Sequence, residues 1–184
     1  DSIILDVTKY LNKIEKLNEQ YVVCEPGLYY RDLAKKMDKL EVYLPSYPAS
    51  KDLCCVGGIV SNNSAGEKTL QFGQTKDWLE EVEVVLADGS IFNFKAIKFV
   101  DFESGEVDLK ENKFVEKIYS EILQIISDNK KLIDEQKPKV SKNASGYYLW
   151  EVIDWEKEVV NMHKLICGSQ GTFGIVTKVK LRLQ

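Results

Sequence analysis

Two stretches of the chain alternate apolar and polar residues with a period of two, which is typical of half-buried β-strands. In residues 78–86, apolar side chains on one side of the expected strand oppose glutamates on the other. The Asp88-Gly89 pair that follows favours a tight hairpin turn, so residues 91–94 are predicted to form the return strand. Residues 175–183 alternate in the same way and predict a final strand with one wet face.

Apolar residues at helical spacing predict two amphipathic helices. Residues 30–40 place an apolar stripe among charged side chains, and residues 112–129 carry a longer stripe. The longer stripe consists of Phe114, Ile118, Ile122, Ile125 and Ile126. Further short strands are predicted at residues 3–7, 13–18 and 20–25, further short helices at residues 132–136 and 147–153, and irregular chain at residues 44–50 and 95–110.

The order of these elements predicts the fold class. Strands and helices are mixed without the regular strand–helix–strand rhythm of a doubly wound parallel sheet, and the hairpin favours antiparallel pairing. We therefore expect an α+β fold, with a mostly antiparallel sheet flanked by helices. The length of 184 residues suits a single domain that buries a core without help from disulfides or metals.

Composition and charge narrow the classes of partner. The formal net charge of −4 leaves no basic excess to neutralise phosphates, which argues against nucleic acid as a partner. No apolar run reaches the roughly 20 residues of a membrane helix, and no charged-then-apolar leader opens the sequence. We accordingly expect a cytoplasmic location and no membrane span. The chain opens at Asp1 directly into a strand-like pattern, as expected of a fragment of a larger protein.

The cysteines and the single histidine give little support for metal binding. The four cysteines form no C-x-x-C pair, and one histidine adds too few ligands for an ordinary zinc site. Adjacent Cys54 and Cys55 are interpreted as small buried hydrophobes in a reduced chain. His163 is interpreted as a surface or turn residue without a partner.

The first glycine-rich segment begins at Val56-Gly57-Gly58 and ends at Gly66. Adjacent glycines permit positive φ and leave no side chain between the backbone and a ligand. A helix that starts there would present free N–H groups to a phosphate or to the edge of a flavin ring. A tight strand-to-helix turn without a ligand explains the pattern equally well. The spacings of the Rossmann fingerprint and of the P-loop are both missing, which excludes those two nucleotide sites.

The second glycine-rich segment covers residues 168–174, with glycines at a spacing of three directly before the final predicted strand. This spacing favours irregular backbone that a ligand can approach closely. Ser169 and Thr172 add hydroxyl groups to the segment. Taken alone, it is equally compatible with a structural turn.

Taken in order, these segments resemble the FAD-binding domain of the vanillyl-alcohol oxidase and p-cresol methylhydroxylase type. No single motif is decisive, and the resemblance rests on their ordered combination. The motifs are Glu25-Pro26-Gly27 before a helix, Pro45-Ser46-Tyr47-Pro48, Val56-Gly57-Gly58 with Ser61, Asn63 and Gly66, then Gly73, the hairpin from Glu83 to Gly89, Lys142-Asn143-Ala144-Ser145-Gly146-Tyr147, and Gly168-Ser169-Gln170-Gly171-Thr172-Phe173-Gly174-Ile175-Val176-Thr177. Within this type, the chain is most similar to FAD-linked oxidases of the D-lactate dehydrogenase and glycolate oxidase group.

The resemblance implies that FAD is held mainly by backbone groups and small side chains. The residues it places at the cofactor are Pro48, Ser50, Cys54, Val56, Gly57, Gly58, Ser61, Asn62, Asn63, Ser64, Gly66, Gly168, Ser169, Gly171, Thr172, Gly174, Ile175 and Val176. Close approach of FAD at Gly57 would make Gly57→Val lose the flavin while keeping most of the fold. Gln170 stands where relatives often have glutamate, so no charged contact is expected there. The resemblance assigns no catalytic residue and no metal ligand within the chain.

The resemblance also implies a place in a larger protein. Residues 1–184 correspond to the second lobe of a two-lobed FAD-binding domain with an insertion at residues 95–141, and the first lobe and the substrate cap domain are expected outside this sequence. The parent protein would oxidise a small 2-hydroxy acid by hydride transfer to FAD and pass electrons to an acceptor. Two alternatives stay open: a non-catalytic fragment that binds FAD weakly or not at all, or another member of the fold group, such as a nucleotide-sugar reductase or an ether-lipid synthase.

Overall fold

The computed structural model of the chain describes residues 4–104, 107 and 109–184. A seven-stranded sheet organises this part of the chain, in the order β1-β2-β7-β3-β4-β6-β5, and each neighbouring pair is antiparallel. The strands are β1 (Ile14–Leu17), β2 (Tyr21–Cys24), β3 (Leu79–Val85), β4 (Ile91–Lys98), β5 (Ile153–Asp154), β6 (Val159–Asn161) and β7 (Ile175–Arg182). The predicted α+β class is therefore confirmed.

The helices are mostly short and connect or cover the strands. They are α1 (Tyr30–Met37), α2 (Val56–Ser61), α3 (Thr69–Phe72), α4 (Phe99–Glu103), α5 (Lys113–Asp128), α6 (Lys130–Gln136) and α7 (Met162–Ile166). Single 3-10 turns lie at Asp38–Leu40, Thr75–Asp77, Leu109–Glu111 and Leu149–Glu151.

The two faces of the sheet differ in polarity, as the alternating pattern predicts. Val82 of β3 and Val179 of β7 are opposite each other and almost completely buried in the core. On the other face, the Lys178 ammonium lies 3.1 Å from the Glu15 carboxylate, and ion pairs of the same kind continue along neighbouring strands. The apolar face is thus the one on which the helices pack, and it carries the core of the domain.

Helix α5 begins at the predicted position, but of the predicted apolar stripe only Ile126 is fully buried. The Asn112 side chain caps it by accepting hydrogen bonds from the N–H groups of Phe114 and Val115. Its buried residues include Val115 and Tyr119, and the Tyr119 ring stacks on Phe94 of β4 at a centroid distance of 6.2 Å. Most of the predicted stripe is only partly buried and lines an apolar groove of about 300 Å³, through Phe114, Ile118, Ile122 and Ile125. The helix therefore has two apolar stripes, one that includes Val115 and Tyr119 and one that lines the groove. The spacing of apolar residues in the sequence does not separate them.

Three local predictions are wrong. Residues 4–7 form no strand, and Ile4 is 91% exposed, while residue 3 lies outside the described residues. Residues 95–104 are regular, because β4 continues to Lys98 through pairing with β6 before α4 begins. The helix expected at residues 147–153 is a single 3-10 turn that leads into β5. In the second and third cases, strand pairing between distant segments decides the conformation, and local periodicity does not predict that pairing.

Candidate functional site

The two glycine-rich segments lie side by side. The Gly168 N–H donates to the Val60 carbonyl at 2.9 Å, and the Gln170 N–H donates to the Ser61 carbonyl at 2.9 Å. These bonds join the turn after α7 to the last residues of α2. Segments more than 100 residues apart in sequence thus form one continuous surface, with the Cys167 thiol also donating to the Val60 carbonyl 107 positions away.

The predicted cofactor residues divide into three groups by exposure. Exposed positions are Ser50, Gly58, Asn62, Gly171, Thr172 and Ile175. Partly buried positions are Pro48, Cys54, Ser61, Gly66, Gly168, Gly174 and Val176. Buried positions, which support the surface from behind, are Val56, Gly57, Asn63, Ser64 and Ser169.

Adjacent Gly57 and Gly58 have different surroundings. A Cβ atom added at Gly57 would lie 2.5 Å from the Pro26 Cβ, so this glycine is required by packing inside the domain. Its N–H donates to the Pro26 carbonyl at 2.8 Å, and the Val56 N–H donates to the Leu28 carbonyl at 2.9 Å. The expectation that Gly57→Val spares the fold is therefore wrong, because the valine would collide with Pro26 and not with a ligand.

Gly58 is the glycine that faces open space. A Cβ added there meets no atom within 4 Å, and among the described residues no carbonyl accepts its N–H. Gly171, in the second segment, is equally open and has a φ of 81°. Bare backbone at both positions lets a planar ring or a phosphate approach without meeting a side chain, so the residues present fit FAD.

Two aromatic residues flank the open surface. The Tyr147 and Thr172 hydroxyl oxygens lie 3.0 Å apart in a hydrogen bond, and the Tyr147 ring packs on Phe173 at 4.6 Å. The Asn143 carbonyl accepts a hydrogen bond from the Gln74 amide at 3.0 Å. The segment at residues 142–147 therefore lies against the second glycine segment. Tyr147 belongs to the motif at residues 142–147, but the sequence of that motif does not predict the hydrogen bond between Tyr147 and Thr172.

Asn63 holds the turn that follows α2 from inside the domain. Its φ is +45°, a left-handed conformation that asparagine tolerates better than most residues. Its Oδ1 accepts the Lys76 N–H at 2.9 Å, and its backbone carbonyl accepts the Gln74 side-chain amide at 3.3 Å. Gln170, in the second segment, also has a left-handed φ of 53°. Asn63, which the sequence predicts at the cofactor, is buried in the structure.

A buried ion pair that the sequence did not indicate lies behind the site. The Lys76 ammonium is 2.8 Å from the Glu151 carboxylate and 3.0 Å from that of Asp77, and the Lys76 side chain is only 9% exposed. Burial acts to lower the Lys76 pKa, but the two carboxylates outweigh it and raise the pKa above its ordinary value. Lys76 is consequently a fixed cation.

The interpretation of His163 as a surface residue is wrong. His163 lies in α7 and is buried, and its Nδ1 has no hydrogen-bond partner among the described residues. Burial lowers its pKa from 6.5 to about 4, with neighbouring Lys164 adding to the shift. Leu165 and Ile166 of the same helix are buried too, so the expected turn is a core helix.

The cysteines do not form a reactive centre. Cys54 and Cys55 are partly buried, where full burial was expected, and burial raises the pKa of both thiols. Cys167 is completely buried, which also raises its pKa. Thiols held in the neutral form are poor nucleophiles.

No helix within the described residues has the length and apolar character needed to cross a bilayer.

Comparison with known proteins identifies the family. The FAD binding domain family matches residues 1–95, more than half of the chain. D-2-hydroxyglutarate dehydrogenase of Escherichia coli (strain K12) is 25% identical over 97% of this chain and 18% of its own length. Glycolate oxidase subunit GlcD of Bacillus subtilis (strain 168) is 31% identical over 95% of this chain and 26% of its own length.

D-lactate dehydrogenase of Archaeoglobus fulgidus is 22% identical over 100% of this chain and 29% of its own length. Among solved structures, an alkyldihydroxyacetonephosphate synthase superimposes over 95% of this chain and 21% of its own, with a TM-score of 0.54 and 17% identity, which supports the fold. The chain spans less than a third of each of these proteins. The chain belongs to the FAD binding domain family, and its cofactor is FAD.

Proposed function

We propose that the chain is the FAD-binding part of a larger flavin-dependent oxidoreductase that oxidises a small 2-hydroxy acid. The observation that carries the proposal is the joining of the two glycine segments by the hydrogen bonds from Gly168 and Gln170. They form one surface on which bare backbone at Gly58 and Gly171 faces outward. The match of the FAD binding domain family to residues 1–95 supports FAD as the ligand of that surface.

The chain contributes binding and orientation to this reaction. The free N–H of Gly58 and the side chains of Ser61, Asn62 and Thr172 offer hydrogen bonds that need no charge. Bound FAD supplies the two-electron acceptor for the hydride of the substrate. The Tyr147–Phe173 pair lies beside this surface and offers aromatic rings to the cofactor.

The remaining parts of the site belong to other regions of the parent protein in this proposal. A first lobe would close over the opposite side of FAD, and a cap domain would hold the substrate. In this proposal, residues 95–141 are an insertion into the domain. Within this stretch α4, α5 and α6 are regular helices, while residues 105, 106 and 108 lie outside the described residues.

The substrate class comes from the relatives. Curated proteins that match nearly the whole chain are named for D-2-hydroxyglutarate, glycolate and D-lactate, all of them 2-hydroxy acids. Electrons would leave to an acceptor that is a separate molecule. We place the protein in the cytoplasm, and the four free cysteines support a reducing compartment.

The test is anaerobic reduction of the flavin in the full-length protein. D-2-hydroxyglutarate, D-lactate and glycolate are each mixed with the protein, and the flavin absorbance near 450 nm is followed, a band position that is about the same in most flavoproteins. Bleaching by at least one of these acids is the expected result, with no bleaching by its deoxy analogue or, for the two chiral acids, by the mirror-image form. A protein that binds FAD but is bleached by none of them would reject the substrate class. A protein that takes up no FAD would reject the whole proposal.

A further inference from the structure

A buried polar network runs behind the proposed FAD surface and connects both glycine segments. Its centre is the turn at Thr75–Asp77, which precedes β3. The Thr75 N–H and hydroxyl both donate to the Ser64 carbonyl, at 3.0 and 2.8 Å. The Lys76 N–H donates to Asn63 Oδ1 at 2.9 Å. This turn therefore fixes the end of the first glycine segment.

The other end of the network reaches the second glycine segment. The Lys76 ammonium pairs with Glu151, 75 positions later, in the 3-10 turn at Leu149–Glu151. That turn directly follows Tyr147, which hydrogen-bonds to Thr172, and Tyr148, which hydrogen-bonds to Gln74. The Lys76–Glu151 pair thus links the turn at Thr75–Asp77 to the turn at Leu149–Glu151, and Glu151 also pairs with Lys164 of α7 at 3.4 Å.

The energetics of such a pair favour a role in geometry over a role in stability. Removing two charges from water costs about as much as their attraction returns, so buried ion pairs add little net stability. They do define one arrangement, because each partner left alone is strongly disfavoured. Here the fixed arrangement includes Asn63 in a left-handed conformation, which is strained for a non-glycine residue unless its surroundings hold it.

We propose that Lys76 and Glu151 are positioning residues, which hold the two glycine segments at the separation that FAD requires. The inference rests on the proposed function, since it assigns the backbone surface at Gly58 and Gly171 to FAD. Neither side chain is placed on the cofactor. Both act through Asn63 on one side and Tyr147–Thr172 on the other.

The test compares FAD dissociation constants in the full-length apoprotein by titration of flavin fluorescence. Lys76→Met and Glu151→Gln are each expected to weaken FAD binding about tenfold or more. Without the link, the two glycine segments must be ordered when FAD binds, and the free energy of that ordering lowers the affinity. The double variant should lose less affinity than the sum of the two single losses, because the Lys76–Glu151 link is lost in all three, while the contacts with Asp77 and Lys164 are lost in one single variant each. Lys76→Arg keeps the charge and is expected to bind FAD within about threefold of wild type.

Two controls separate positioning from general loss of stability. Lys35→Met removes an exposed ion pair with Asp32 on α1 and is expected to leave FAD affinity unchanged. Thermal unfolding of each apoprotein shows whether it is folded, and Glu151→Gln, which keeps its shape, serves if Lys76→Met does not fold. Wild-type FAD affinity in folded Glu151→Gln, or losses that add in the double variant, would overturn the inference. Absence of FAD from the wild type would overturn the proposed function and this inference together.

Discussion

At the scale of single residues, Gly57 and Gly58 show how two identical neighbours carry different constraints. Gly57 is needed because the Pro26 ring lies where its side chain would be, whereas nothing in the domain occupies that place at Gly58. The sequence identifies both glycines as special but contains no sign of which faces the ligand. The distinction depends on contacts from another segment, and in our proposal Gly58 is the glycine of the pair that faces FAD.

His163 predicts a specific dependence of stability on pH. Its pKa falls from 6.5 to about 4 on folding, so the unfolded chain binds more protons between these values. The contribution of neutral His163 is complete above pH 6.5 and is lost as the pH falls towards 4, by roughly 3 kcal/mol. Urea unfolding of the wild type and of His163→Gln at pH 7 and at pH 4.5 measures it.

Carboxylates titrate in both proteins between these two pH values. The difference between the two losses of unfolding free energy therefore measures the contribution of His163. The wild type should lose more unfolding free energy than His163→Gln on going from pH 7 to 4.5. Equal losses in the two proteins would contradict the burial of a neutral imidazole in α7.

At the scale of elements, the capped start of α5 gives a prediction about stability. The Asn112 side chain accepts from the N–H groups of Phe114 and Val115 at 3.1 Å each. Asn112→Ala removes this acceptor and should lower the free energy of unfolding by about 1 kcal/mol. Asn112→Asp keeps an acceptor and should stay close to wild type. Equal urea midpoints for Asn112→Ala and wild type would show that the cap contributes nothing.

Which elements the sequence predicts depends on how locally they are determined. The hairpin around Asp88-Gly89 and the helix after Asn112 were predicted nearly to the residue, because turn chemistry and helix capping act over a few positions. The extension of β4 to Lys98 was missed, since it depends on pairing of Ala96 with Asn161, far along the chain. In that extension Phe94 and Ile97 are the buried residues, a spacing of three that hides the strand period.

At the scale of the whole molecule, the sequence predicted a family and an outward-facing surface but not its supports. The ordered motifs were sufficient to indicate FAD, and the family match confirms it. The Lys76–Glu151 pair could not be predicted, because the two residues are 75 positions apart and no motif or regular spacing connects them. The proposed two-lobed division also predicts how tightly the isolated chain binds FAD.

The isolated chain of 184 residues should fold but bind FAD far more weakly than the full-length protein. In the proposed division its surface would contact one side of the cofactor only, and contacts from the other lobe would be missing. Equilibrium dialysis of FAD against both proteins tests this expectation. Equal affinity in the two would place the complete FAD site within this chain and contradict the two-lobed division.

The central claim, that bare backbone at Gly58 contacts FAD, is tested most directly by the FAD dissociation constant of Gly58→Leu in the full-length protein. Leucine is a good helix former and its Cβ would meet no atom within 4 Å at this position, so thermal unfolding of the apoprotein should stay close to wild type. Gly57→Leu, its matched control, should instead destabilise the apoprotein through collision with Pro26. We predict that Gly58→Leu weakens FAD binding about 100-fold or more, which is roughly 3 kcal/mol. Wild-type FAD affinity in a folded Gly58→Leu protein would contradict the account.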